Sequence, residues 1–166
     1  SYFELLREDP SRRLVFSEVA VGRLAGRQQL FMAVPIRDRA GGFAGVAMAP
    51  LELSYLQGLF EDLDLGPNGV VTFRRSDDGR LVMRRPAQPD RVNKTLSNNA
   101  MHMRVEAGEM EGSLRFQAAI DGVERVYAFK RVGAFPFYVA VGIALPDFLN
   151  RWRRDAAAAA GATALF

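Results

Sequence analysis

The chain has 166 residues, 49% hydrophobic and 25% charged, which is enough apolar material for a buried core and argues against intrinsic disorder. Its net charge of +3 rests on twenty arginines and two lysines, Lys94 and Lys130, and the arginines are scattered rather than gathered into one basic face, so nucleic acid is not an expected partner. The absence of cysteine excludes disulfides, thiolate zinc sites and cysteine nucleophiles, and the single histidine, His102, leaves a serine triad only one candidate base.

Residues 1–8 read as an amphipathic helix with Phe3 and Leu6 on one face, broken by Asp9-Pro10-Ser11. Leu14–Val21 is predicted as a strand ended by Gly22. Gln28–Arg37 and Phe43–Ala49 follow as a hairpin around Arg39–Gly42. Pro50 is placed to open a helix, and Leu51–Leu63 carries leucines near helical spacing. The same grammar then recurs. A turn at Gly66–Gly69 precedes a strand at Val70–Arg74, a tight turn at Asp77-Asp78-Gly79 and a partner strand at Leu81–Arg84. A polar loop at Pro86–Asn93 and a short helix at Leu96–Met103 come next. Three strands follow, Gly112–Ala119, Val123–Val132 and Phe137–Ala144, joined at Asp121-Gly122 and around Gly133–Pro136. Pro146 opens a last helix from Asp147 to about Arg154, which runs into an alanine-rich tract.

Hairpins separated by helices, without strand-helix-strand alternation, imply an antiparallel α+β fold. Leu65–Leu145 has the strand-strand-helix-strand-strand-strand order of a PAS-like unit. The preceding block has three strands and flanking helices, like the back half of a similar unit. The expectation is two stacked PAS-like units, the first incomplete, with mostly antiparallel sheets.

Particular residues carry a family resemblance. Asp38–Ala47 (DRAGGFAGVA) resembles the D-x-x-G-x-F-x-G-V-V hairpin of the membrane-distal module in double Cache sensors. GPNGVV at 66–71, followed by DGRLVMRRP at 78–86, is similar to the start of the membrane-proximal module. DGVERVYAF at 121–129 and FPFYVAVG at 135–142 are similar to that module's last two strands. The resemblance divides the chain into a distal half-unit at 1–64, a proximal unit at 65–145, and a juxtamembrane helix with the start of a membrane span at 146–166. It implies a domain on the periplasmic side of the inner membrane that binds a small molecule, forms a homodimer in the full receptor, and regulates a cytoplasmic diguanylate cyclase or histidine kinase. It implies no cofactor and no catalysis. Arg151-Trp152-Arg153-Arg154 then reads as an interfacial anchor entering the span. The alternative is a structural dimerisation domain with no ligand of its own. One departure stands out: amino-acid-binding double Cache domains carry an aspartate where this chain has Pro50, while Tyr2-Phe3 matches the aromatic pair of the same binding motif.

The ligand-binding candidates are Tyr2, Ser17, Met32, Arg37 and Met48, with Phe16 and Val34 beside them. Ser17 and Arg37 are the ones able to hydrogen-bond an anionic ligand. Arg84 and Arg125, with Asp121, read as a structural ion pair or turn. His102 reads as a packing residue, Asp77-Asp78 as turn formers, and Glu106, Glu109 and Glu111 as a solvated face. No nucleophile has a base beside it in the pattern, and no phosphate-binding glycine loop or metal-ligand spacing is present.

Overall fold

The computed structural model describes residues 2–23, 26–96 and 99–149. The chain divides into two units, Ser1–Glu61 and Asp62–Phe166, each with its own antiparallel sheet.

The first unit runs α1 (Tyr2–Glu8), β1 (Val15–Phe16), β2 (Ala20–Val21), β3 (Gln28–Arg37), β4 (Phe43–Glu52) and α2 (Leu53–Gly58). β3 is the central strand, with β1 and β2 along one side and β4 along the other. The single strand expected over Leu14–Val21 is therefore split. Val15 pairs with Ala33 and Phe16 with Met32, but Ala20 pairs with Gln29, so one extra residue is accommodated between them. Ser17 makes the bulge tolerable. Its backbone N–H donates to the Phe31 carbonyl at 2.9 Å, and its hydroxyl accepts from the Phe31 N–H at 3.0 Å in place of a carbonyl.

Pro50 does not open a helix. It lies within β4 opposite Phe31, and the strand continues to Glu52. A proline is tolerated there because β4 pairs with β3 alone among the described residues, leaving one side without ladder bonds to lose. The helix predicted over Leu51–Leu63 shrinks to Leu53–Gly58. Beyond Gly58, a poor helix former, the chain loosens into i−3 turns from Phe60 to Gln57 and from Glu61 to Gly58. Leu6, Val15 and Ala33 form the core, with Tyr2, Phe43 and Val46 packed against it.

The second unit carries β5 (Val70–Arg75), β6 (Leu81–Arg85), α3 (Ala100–Glu106), β7 (Glu111–Gln117), β8 (Glu124–Arg131) and β9 (Phe137–Ala144). They form the expected five-stranded sheet, in the order β6-β5-β9-β8-β7. The predicted Leu96–Met103 helix lies later, at Ala100–Glu106, because Asn99 caps it: its side-chain oxygen accepts from the Met101 and His102 N–H groups. A 3-10 turn at Pro89–Arg91 falls in the expected polar loop. Residues 145–149 are helical, and the rest of the predicted terminal helix and the alanine tract lie outside the described residues.

β8 alternates strictly, with Arg125, Tyr127 and Phe129 buried and the residues between them exposed. That inner face packs with Met101 and Val105 of α3, Val70 of β5, and Tyr138 and Ala140 of β9. Gly142 on β9 makes this packing possible. It stands between Tyr127 and Val70 in register, and a Cβ there would meet the Tyr127 ring at 2.5 Å and the Val70 Cγ1 at 2.8 Å.

Replacing Gly142 with alanine should therefore destabilise the unit by about 1–3 kcal/mol through overpacking. The check is a lower urea midpoint at an unchanged slope of the unfolding transition.

Candidate functional site

In the first unit, strand alternation separates the predicted ligand residues. Met48 pairs with Ala33, on the sheet face that α1 covers, and Tyr2 packs into the same core. Met32, the next residue along β3, pairs with Ala49 and Phe16 and so belongs to the opposite face. The two polar candidates are engaged by the backbone. The Ser17 hydroxyl donates to the Glu18 carbonyl at 2.6 Å while accepting from Phe31. The Arg37 guanidinium donates to the carbonyls of Pro10 at 2.6 Å and Gly41 at 3.3 Å, tying the β3–β4 hairpin to the loop after α1.

The second unit gathers buried charge instead. Period-two alternation along β5 turns Val70, Thr72 and Arg74 to the inner face, opposite Gly142, Ala140 and Tyr138 of β9. Arg84 of β6 pairs with Thr72 and shares that face. Arg74, Arg84 and Arg125 are 2%, 6% and 3% exposed, so three guanidinium groups are withdrawn from water. One carboxylate meets two of them. Asp121, in the turn between β7 and β8, accepts from Arg84 at 2.8 Å and from both terminal nitrogens of Arg125 at 2.8 and 2.9 Å. Arg74 donates to the Gly79 carbonyl at 2.8 Å and has no carboxylate partner among the described residues.

These surroundings set the protonation energetics. Burial pushes the Arg74 guanidinium down from its ordinary value, Tyr138 partly offsets this, and the like charge of Arg84 adds to the depression. Burial lowers Arg84 too, against the pull of Asp121. The Arg125 hydrogen bonds hold the Asp121 carboxyl below the usual carboxylate range, outweighing burial. Burial pushes the Tyr138 phenol up to about 12.

A cavity of about 60 Å³ opens beneath β5 and β6, lined by Thr72, Arg74, Arg84, Met101, Phe116 and Tyr127 among others. Two polar atoms of these lining residues, Thr72 Oγ1 and Arg84 Nε, are buried without a hydrogen-bond partner, as is Tyr138 Oη. His102 is buried, with its ring stacked on Tyr138 at 6.1 Å between centroids and its Nε2 3.4 Å from Glu106. Among the described residues no group of three His, Asp or Glu is placed to hold a metal ion.

Arg84, Arg125 and Asp121 form the ion pair that their motifs suggested. Arg74 carried a signal that a register count reveals: in Val70-Val71-Thr72-Phe73-Arg74 it shares the parity of Val70, so it must turn inward with it.

The Asp121 cluster also reaches the unit's last helix. Arg125 Nε donates to the Asn68 carbonyl at 2.6 Å. Asn68 in turn donates to the Asp147 carboxylate from its backbone N–H at 2.8 Å and from its side-chain amide at 3.0 Å.

A family model described as dCache_1-like, histidine kinase sensor domain, matches residues 53–142, more than half of the chain. No curated protein matches. Among solved structures, the chain is similar to the extracellular domain assigned to the histidine kinase rpHK1S-Z16, with a TM-score of 0.76 and 23% identity over 89% of this chain and 60% of that one. The periplasmic sensory domain of the Campylobacter jejuni chemoreceptor Tlp1 is similar with a TM-score of 0.71 and 18% identity, over 86% of this chain and 54% of that one. The ligand-binding domain of the Pseudomonas aeruginosa chemoreceptor PctC, in complex with GABA, is similar with a TM-score of 0.54 and 26% identity, over 79% of this chain and 56% of that one. The chain thus spans 60% or less of the length of each of these domains.

Asp121→Asn should cost about 2 kcal/mol at neutral pH, since it leaves two buried guanidinium groups poorly compensated; the loss is below that of a fully buried pair because the Asp121 side chain is 28% exposed. Its carboxyl titrates lower in the folded than in the unfolded state, where the value is about 3.9, so the stabilisation is complete above that pH and vanishes as pH falls through the depressed folded value. Urea midpoints measured across this window should fall steeply for the parent chain and more shallowly for the asparagine variant.

Proposed function

The chain belongs to the dCache_1-like family of histidine kinase sensor domains, and on that premise we propose that it is the extracytoplasmic signal-input domain of a bacterial membrane receptor. A small molecule binds the domain, and the resulting shift regulates a cytoplasmic output, a histidine kinase or a diguanylate cyclase. The domain acts by binding rather than by catalysis.

One observation carries this reading: the buried arginine cluster beside the cavity and the start of the last helix share a single residue, Asn68. β9, the middle strand of the sheet, runs directly into helical residues 145–149. A rearrangement at Arg84, Asp121 and Arg125 therefore bears on the helix through two hydrogen-bonded steps. Regulation requires only that the ligand favour one of two arrangements by about 1–3 kcal/mol.

Membrane attachment through the C-terminal segment belongs to the same proposal, as does a homodimer of the full receptor. Among the described residues no helix is long and apolar enough to cross a membrane, and Arg151–Phe166, where the span was expected, lies outside them.

In the full-length receptor, Asp147→Ala should reduce stimulus-dependent output at least about five-fold while leaving ligand affinity within about two-fold, because it removes the acceptor of both Asn68 hydrogen bonds without entering the cavity. Autophosphorylation or cyclic-dinucleotide assays and calorimetry read the two quantities separately. An unaltered response would refute the coupling. A thermal-shift screen of amines, amino acids and carboxylates that stays flat would instead favour an assembly domain with no ligand.

A further inference from the structure

We propose that the cavity beneath β5 and β6 binds a short-chain monocarboxylate, its headgroup held by Arg74, Arg84 and Thr72. The proposal rests on the signal-input reading and names the class of ligand that the second unit takes.

Charge fixes the sign of the ligand. Three buried guanidinium groups face one carboxylate, and Asp121 is fully used by Arg84 and Arg125. Arg74 is left with a single carbonyl partner. A buried cation without a counter-ion is costly, and the same low dielectric that imposes the cost strengthens the attraction for an anion. The donors are already in place: Arg84 Nε and Thr72 Oγ1 have no partner, and Thr72 and Arg84 stand opposite each other on adjacent strands two residues from Arg74. Arg84 Nε and Thr72 Oγ1, on residues that line one cavity together with Arg74, suit a carboxylate.

The remaining walls set the rest of the molecule. Leu96, Met101, Phe116 and Ile120 are apolar and suit an alkyl tail, whereas a sulfate or phosphate would leave oxygens facing them. The lining contains no aspartate or glutamate, so no side chain there supplies a charge opposite to the ammonium of an amino acid, whereas its two arginines repel it. The volume of about 60 Å³ holds roughly four to six water-sized groups, at 10–15 Å³ each. Acetate, propionate and butyrate have that size.

The test titrates the chain with sodium propionate, by calorimetry and thermal melting, against propionamide, alanine, sodium chloride and sodium sulfate at matched ionic strength. Propionate should bind saturably and raise the melting temperature, while the neutral amide and the zwitterion leave it unchanged. Thr72→Val should weaken propionate at least about ten-fold, by loss of one hydrogen bond to a charged group. Arg74→Met should weaken it at least about thirty-fold, yet melt no lower than the parent without ligand, because it removes an unpaired buried charge. An equal response to chloride or sulfate, no response to propionate, or an Arg74→Met chain that melts lower while keeping propionate affinity would each overturn the proposal. Propionate binding that leaves the output of the full-length receptor unchanged would keep this site and refute the signal-input reading. A saturable shift by a cationic or neutral ligand, with none by propionate, would refute this site and keep that reading.

Discussion

Three guanidinium groups are buried in the second unit, and the carboxylate of Asp121 faces two of them. Much of that unit's geometry follows from this shared contact. Arg84 sits on β6, at one edge of the sheet, while Asp121 sits in the turn that leads from β7, at the other edge, into β8. Their ion pair therefore reaches across the sheet's inner face. α3 covers part of that face with Met101 and Val105, and Met101 also lines the cavity together with Arg84. Removing Asp121 leaves two guanidinium charges that are withdrawn from water without their carboxylate.

The two units use polar side chains in different ways. In the first, Ser17 and Arg37 spend their hydrogen bonds on backbone, stitching a bulged strand and a hairpin. Those are local repairs, made where the ladder is interrupted. In the second, the five-stranded ladder carries a register shift between Phe73 and Arg74, and Arg74 donates to the Gly79 carbonyl beside it, while Arg84 and Arg125 spend hydrogen bonds on the Asp121 carboxylate. Thr72 Oγ1 and Arg84 Nε nevertheless remain without a partner.

Much of the fold was legible because period-two alternation and Asp-Gly turns are local signals. Gln28–Arg37 and Phe137–Ala144 match their strands residue for residue, and Gly79 and Gly122 take the left-handed conformations that their turns need. What escaped depends on neighbours. Pro50 is a sound helix opener by its own chemistry, and only its place on a strand with one partner lets it extend β4. The split at Ser17 follows from where β3 lies, which no run of residues from Leu14 to Val21 states. At the candidate site, Arg84, Arg125 and Asp121 could be picked out because each sits in a motif. Arg74 reads in the sequence only as the end of a strand, since its inward parity acquires meaning once β6 and β9 flank β5. The first-unit candidates depend on register in the same way: Met32 and Met48 are close in the hairpin, yet their registers assign them to different faces.

The contact between Asn68 and Asp147 joins residues 79 positions apart. Asn68 lies in the turn by which the chain enters the sheet, and Asp147 in the helix by which it leaves. Entry and exit therefore meet at one hydrogen-bonded clasp, and everything between them is a closed loop of almost no net span. Topologically the five strands are a cassette: a host chain interrupted at that point would be pushed apart by scarcely more than the width of the clasp. A module with that property can be gained, lost or exchanged between proteins without re-spacing what lies on either side of it.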